Sequence, residues 1–222
     1  MKSKNIEPIF ITGAERSGSA LVARILSMCD VWQGNCNKMF EHKGITVLEP
    51  YKTDSIFPQT HEMQIPFNWR NDIQKIITDE NWTDQQWMLK SSKLAQYWPV
   101  WAYAYPDAKW LIIRRRTGDI IQSCVKTGYM QTFKGGMNLN KGETEEQGWL
   151  WWIHQYEKKF VEMIEAGLNC RIVWPDRMVS GNYEQMKETI DWLGLKWNSK
   201  IPEVVEPLLE KSRRLEYGAS NI

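Results

Sequence analysis

The chain has 222 residues, enough for one domain with a sizeable buried core. Its 28 Lys and Arg nearly balance 27 Asp and Glu, so a net charge of +1 offers no general attraction to nucleic acid or to an anionic membrane. Any anion site must therefore come from local arrangement. The four cysteines (Cys29, Cys36, Cys124, Cys170) show no C-x-x-C or zinc-finger spacing, and buried free thiols are the expectation. The apolar run that ends at Gly13 is too short for a secretory core or a membrane span, and nothing later reaches spanning length. A cytoplasmic location is expected, which leaves the sequon Asn81-Trp82-Thr83 with little meaning.

In chain order, Pro8-Ile9-Phe10-Ile11-Thr12 reads as a buried strand that stops at Gly13. Leu21, Val22, Ile25 and Leu26 recur at helical spacing and predict a helix over 17–30. Residues 30–85, with Pro50, Pro58 and Pro66, read as a loop-rich insertion over the sheet edge, holding a short helix over 71–77. Trp87-Met88-Leu89-Lys90 predicts a second strand, followed by a helix over 94–105 that Pro106 stops. The third strand is Lys109-Trp110-Leu111-Ile112-Ile113-Arg114, with a helix over 119–126. Gly135-Gly136 with Asn138 and Asn140 marks a mobile loop, and a long helix covers 145–165. Cys170-Arg171-Ile172-Val173-Trp174 is the last strand, and a helix over 183–193 ends at Gly194. Strands alternating with helices predict an α/β fold, a parallel central sheet flanked by helices, in one domain over 1–222.

Thirteen tryptophans are a heavy load, and core is the expectation for most of them. Trp149-Leu150-Trp151-Trp152 exceeds what one helix face can bury. The remainder leaves the wall of an acceptor pocket, or a homodimer contact, as alternatives.

Gly13-Ala14-Glu15-Arg16-Ser17-Gly18-Ser19-Ala20 joins the first strand to the first helix. Glycines let the backbone approach a ligand, and N–H groups at a helix start point at an anion with the helix dipole behind them. Arg16 adds a cationic fork, and Ser17 and Ser19 add hydroxyls. The spacing Gly13 to Gly18 fits half of a nucleotide triphosphate loop, but Ser19 stands where that loop needs lysine. A ligand-free glycine turn is the plain alternative. A second cluster, Arg114-Arg115-Arg116-Thr117-Gly118-Asp119, lies at a strand's carboxyl end, where α/β folds bind ligands. Thr117 is expected to cap the next helix, from which Ser123 can lean back toward Arg115. Arg114, Arg116, Ser123 and Lys90 each also read as ordinary surface residues.

These segments resemble the sulfotransferases that use 3′-phosphoadenosine 5′-phosphosulfate. Arg16-Ser17-Gly18-Ser19 is similar to that family's loop for the 5′-phosphosulfate, with Ala20 one hydroxyl short. Arg115 and Ser123 have the separation of its 3′-phosphate pair, although Arg116-Thr117 replaces the usual Asp-Pro. Leu89-Lys90-Ser91-Ser92, Tyr105-Pro106-Asp107-Ala108-Lys109-Trp110 and Trp192-Leu193-Gly194-Leu195 resemble further family segments, with the 30–85 region matching poorly. The resemblance implies sulfuryl transfer to an acceptor hydroxyl or amine on a small molecule or glycan, leaving adenosine 3′,5′-bisphosphate. It implies a P-loop-like donor site of Gly13, Arg16, Ser17, Gly18, Ser19, Ala20, Arg115 and Ser123, with no metal and no nucleic-acid or membrane partner. Arg16 and Lys90 would meet the leaving oxygen, and Glu41 would be the base, with His42, Glu49 and His61 as rivals. A P-loop kinase-like transferase, opposed by Ser19, and an inactive nucleotide-binding module remain as alternatives.

Overall fold

A computed structural model of the chain describes residues 6–45, 56–129 and 144–206. The first strand, β1 (Ile9–Thr12), is buried along its whole length, as strands covered on both faces are. Its side chains still alternate. Phe10 enters one core layer, while Ile9 and Ile11 enter the layer on the other face. Phe10 is ringed by aromatics, with Trp110 at 4.6 Å and Trp101 at 5.3 Å between ring centroids.

Helix α1 (Ser19–Ser27) is shorter at both ends than its apolar spacing predicts. Gly18, at φ 93°, holds the chain outside helical geometry at the start. At the end, Met28 and Cys29 N–H groups turn to Ile25 and Leu26 carbonyls at 3.1 and 2.9 Å, tightening the last turn. The chain then climbs the sheet edge, where Trp32 forms a parallel bridge to Trp87, and folds back on itself through a bridge between Cys36 and His42. A single 3₁₀ turn (Thr60–Glu62) precedes α2 (Trp69–Asp79), which is longer than the expected helix and buries Trp69, Ile73 and Ile77.

Strand β2 (Met88–Lys90) leads into two helices, α3 (Lys93–Gln96) and α4 (Trp98–Ala104), instead of the one expected over 94–105. The break at Tyr97 has a steric cause: in one continuous helix the Pro99 ring would strike the Ala95 carbonyl, whereas in a first turn it is tolerated. Next come β3 (Lys109–Ile113) and α5 (Thr117–Thr127). Thr117 does not cap α5 as expected. Arg116 holds the cap position, its carbonyl accepting from Asp119 and Ile120 N–H, so Thr117 is already helical. Helix α6 (Glu145–Glu165) has the expected limits and is capped by the Thr144 hydroxyl, which accepts from Gln147 N–H. Strand β4 (Cys170–Val173), an unforeseen short α7 (Asp176–Val179) and α8 (Glu184–Leu193) complete the order. The expected glycine loop at 135–140 lies outside the described residues.

The four strands are parallel in the order β2-β1-β3-β4. The chain steps from β1 out to β2, then crosses back to β3 and β4. That reversal opens a crevice above the carboxyl ends of β1 and β3, the usual ligand position in such sheets. On one face Phe10, Leu89, Trp110 and Ile112 pack with α2 to α6; on the other, Ile9, Ile11, Met88 and Leu111 pack with α1 and α8. Trp149 and Trp152 are buried and Trp151 is half-buried, while Leu150 stays exposed. Among the described residues no helix is long and apolar enough to cross a membrane.

Gly13, just past the end of β1, lies close against the end of β3. A Cβ there would lie 2.6 Å from the Ile113 carbonyl oxygen and 2.6 Å from Ser17 Oγ. The sheet backbone cannot yield, so Gly13→Ala is expected to lower stability by about 1–3 kcal/mol, the usual cost of overpacking. Urea unfolding of the variant beside the parent checks this.

Candidate functional site

Residues 13–18 turn sharply above the crevice. Arg16 at φ 62° and Gly18 at φ 93° both adopt left-handed backbone, and Ser17 N–H closes the turn on the Ala14 carbonyl at 3.2 Å. The first N–H groups of α1 lack intrahelical partners and face the crevice with the positive end of the helix dipole. The Ser17 hydroxyl is buried against Gly13 and has no hydrogen-bond partner among the described residues. An orphaned hydroxyl in a cradle that tolerates no Cβ suits a ligand oxygen. On the far side, a Cβ at Gly18 would come within 3.1 Å of Pro175 Cγ, so the corner between β4 and α7 also packs on the loop.

Arg16 reaches across to α5, where its Nε donates to Ser123 Oγ at 3.0 Å, and its guanidinium carbon lies 6.0 Å from the centre of the Tyr129 ring. The first loop and the α5 serine therefore meet in one place, although 107 positions separate them. Arg115 is largely buried at the end of β3 and pairs with Asp176 of α7, Nε to Oδ1 at 3.4 Å. Burial pushes the Asp176 carboxyl up by more than Arg115 draws it down. Arg114 grips Glu157 with two nitrogens, at 3.1 and 2.6 Å, and lies over Trp174. Arg116 is 80% exposed, a surface charge.

Lys90 is not a solvated strand-end lysine. It is 7% exposed, and its Nζ donates to Glu41 Oε1 at 2.9 Å. The other carboxylate oxygen of Glu41 accepts from Asn37 Nδ2 at 3.1 Å, and Asn37 Oδ1 accepts from the Met39 and Glu41 N–H groups. Asn37 thus shapes the turn that brings Glu41 to the end of β2. Burial pushes the Glu41 carboxyl up, but Lys90, the Asn37 amide and Lys93 together outweigh it and hold the group below its ordinary value.

The rivals of Glu41 stand elsewhere. His42 is buried, its Nδ1 accepting from Gly44 and Ile45 N–H at 3.2 Å each and its Nε2 lying 3.2 Å from Glu80 Oε2. Both ring nitrogens are engaged in holding the loop. Burial draws the His42 pKa down, and Glu80 offsets this only in part. His61 is exposed on the 3₁₀ turn, and Glu49 lies outside the described residues. Beside the Asn37 turn a cavity of about 440 Å³ is lined by Arg24, Asn37, Lys38 and Phe40 among others.

One residue of the loop escaped the sequence reading. Glu15 turns away from the crevice to α6, where Trp152 Nε1 donates to its Oε2 at 2.6 Å and the Tyr156 hydroxyl donates to its Oε1 at 3.3 Å. Tyr156 also accepts from Gln96 of α3 at 3.1 Å and bonds Ser92, and its own burial pushes its pKa well up. Thr12 closes the circuit, donating to the Ser92 carbonyl and accepting from Ala95 N–H. The loop that carries Arg16 and the strand end that carries Lys90 are thereby braced on one helix. The signal in the sequence was Trp152 and Tyr156 at i, i+4, a spacing that puts two polar tips on one helix face.

The sequence profile described as Sulfotransferase family matches residues 8–199. The structure is similar to a sulfotransferase from Mycobacterium avium, STF9, with a TM-score of 0.55 and 10% identity, covering 96% of this chain and 68% of that one. It is similar also to sulfotransferase STF1 from Mycobacterium tuberculosis, with a TM-score of 0.50 and 13% identity, covering 96% of this chain and 77% of that one. No curated protein matches the sequence.

Removing the Glu15 carboxylate strands two buried donors on α6. Glu15→Ala is expected to cost about 1–3 kcal/mol, and Glu15→Gln, which keeps an acceptor, clearly less. Urea denaturation of both variants measures the difference.

His42 predicts a pH dependence. Its folded pKa is depressed, so the unfolded chain binds more protons once the pH falls below about 6.5, the ordinary value for histidine. The stabilising effect is fully present above that pH and is lost as pH falls toward the folded value. The urea midpoint of the parent should drop over this range, and His42→Gln should lack that part of the slope.

Proposed function

The chain belongs to the sulfotransferase family, and from that premise we propose that it moves a sulfuryl group from 3′-phosphoadenosine 5′-phosphosulfate to a hydroxyl or amine of a small-molecule or glycan acceptor. The observation that carries this reading is the contact between Arg16 and Ser123, which brings the loop after β1 and α5 together where one anion could meet both. Gly13, Ser17, Gly18, Ser19 and Ala20 would hold the 5′-phosphosulfate with backbone N–H groups and the orphaned Ser17 hydroxyl. Arg115, held at the mouth of the crevice by Asp176, and Ser123 would hold the 3′-phosphate.

In the transfer, the acceptor oxygen or nitrogen forms a bond to sulfur as the bond from sulfur to the bridging phosphate oxygen breaks. The proton of the acceptor goes to Glu41, and adenosine 3′,5′-bisphosphate leaves. Arg16 and Lys90 meet the charge that grows on the leaving oxygen. Glu41 is favoured as base because it is half-exposed at the crevice rim, next to Lys90, and is ionised at neutral pH. His42 has both nitrogens occupied in the loop. The cavity beside Asn37, the residue whose amide donates to Glu41, would supply space for an acceptor.

A sulfate-transfer assay with the sulfated nucleotide, run beside binding of adenosine 3′,5′-bisphosphate and ATP, tests the whole reading. ATP binding without sulfuryl transfer would point to a kinase-like transferase. Bisphosphate binding without turnover on any acceptor would point to an inactive binding module.

Arg115→Ala should weaken adenosine 3′,5′-bisphosphate by roughly 1.5–3 kcal/mol and adenosine 5′-phosphate far less, since only the first carries the 3′-phosphate. Calorimetry on the two nucleotides decides it. Lys90→Ala should reduce kcat about a hundredfold or more, because its charge matters most in the transition state. Single-turnover transfer measures that loss. In the same assay Glu41→Gln should lose about 10²–10⁴ in rate, as the removal of a general base does.

A further inference from the structure

Lys90 and Glu41 are assigned opposite tasks in the proposed reaction, yet they are bonded to each other. Lys90 is buried and donates to Glu41 at 2.9 Å. Its charge is needed on the leaving phosphate oxygen, one strand away. The register sets Lys90 beside Ile11 of β1, and Ser91 N–H donates to the Ile11 carbonyl, so Lys90 ends at the level where β1 turns into the phosphate loop. A lysine ammonium there can serve the carboxylate or the phosphate well, and a full contact with one weakens the other.

We propose that Glu41 competes with the donor nucleotide for Lys90, so that donor arrival releases and activates the base. The proposal rests on the sulfotransferase reading of the site. Without nucleotide, Lys90 neutralises Glu41 and holds its proton affinity low. When the 5′-phosphate draws Lys90 away, Glu41 loses its nearest cation and keeps the weaker contacts with Asn37 and Lys93, so its proton affinity rises. The carboxylate becomes a competent base only after the leaving group has gained its cation. Attack on the sulfuryl group then follows donor binding in a fixed order. The pairing also offsets part of the cost of taking both charges out of water.

The inference reverses an ordinary expectation for a base on the acceptor side. Neutralising it should not leave donor affinity alone; it should improve it. Glu41→Gln keeps the shape and the Asn37 contact while releasing Lys90. Its dissociation constant for adenosine 3′,5′-bisphosphate should fall roughly fivefold, a scale between an exposed pair and a strong coupling. The gain should vanish when Lys90 is also removed, so calorimetry on the parent, Glu41→Gln, Lys90→Ala and the double variant forms a closed cycle. A second readout needs no variant: the side-chain carboxyl signal of Glu41, followed by NMR across pH, should titrate higher with the bisphosphate bound than without it.

Tightening in Glu41→Gln that depends on Lys90, together with the upward titration shift, supports the competition. Equal or weaker binding in Glu41→Gln, tightening that persists without Lys90, or an unmoved titration overturns it while the donor reading stands, provided that the parent binds the bisphosphate. A parent that binds neither the bisphosphate nor the sulfated nucleotide overturns both.

Discussion

The crevice depends on how closely two strand ends approach. Where β1 gives way to the loop, the Ile113 carbonyl of β3 occupies the space a side chain at position 13 would need. Glycine alone fits, and the room it leaves is taken by the Ser17 hydroxyl, which the turn folds back underneath. To reverse within so few residues the backbone passes through left-handed geometry at Arg16 and Gly18. Arg16 bears that conformation without being glycine, and its side chain is thereby sent across to α5. The start of α1, the reach of Arg16 and the burial of the Ser17 hydroxyl all follow from one close contact between parallel strands.

Charge at the crevice is arranged by pairing and not by excess. The chain carries a net charge of only +1, and four cations at the strand ends and the loop have a partner: Arg16 on Ser123, Arg114 on Glu157, Arg115 on Asp176, Lys90 on Glu41. Such partners fix where each cationic side chain points. They differ in kind. Glu157 takes Arg114 with two oxygens, a fixed strut, whereas Asp176 and Glu41 each meet their cation through a single oxygen. An anion that offers better geometry can replace a one-oxygen contact more readily than a two-oxygen one.

The sheet was legible because burial on both faces writes continuous apolar runs, as in Ile9 to Ile11 and Trp110 to Ile113. The long helix α6 was legible in full, since its apolar period and its Thr144 cap lie within one stretch. The single helix expected over 94–105 is two, because apolar spacing does not register that Pro99 is tolerated in a first turn and not in mid-helix. The turn between β1 and α1 could be read because strand, glycines and helix follow one another without a gap. The meeting of Lys90 with Glu41 could not, because it joins residues 49 apart through an Asn37 turn and a bridge between Cys36 and His42 that no periodicity announces. Glu15 was hidden for another reason: Trp152 and Tyr156 look like core residues, and their polar tips matter only once α6 is docked against the loop.

That docking explains where much of the aromatic surplus goes. Phe57, from the segment before α2, stacks edge-on against Trp152 at 5.0 Å and Tyr156 at 5.2 Å, while the polar tips of the same two side chains hold Glu15. Each ring serves two neighbours, its face covered by the insertion and its N–H or O–H spent on the loop. Large, rigid side chains suit this task because they order few torsions for the area they bury. Tyr156 reaches further, through Gln96 and Ser92, to the segment that follows Lys90. A helix that carried leucine at these positions would fill the same core but would leave the loop carboxylate and the α3 amide without partners. The tryptophan and tyrosine of α6 are thus the means by which the two cation-bearing segments of the crevice are held at a fixed separation.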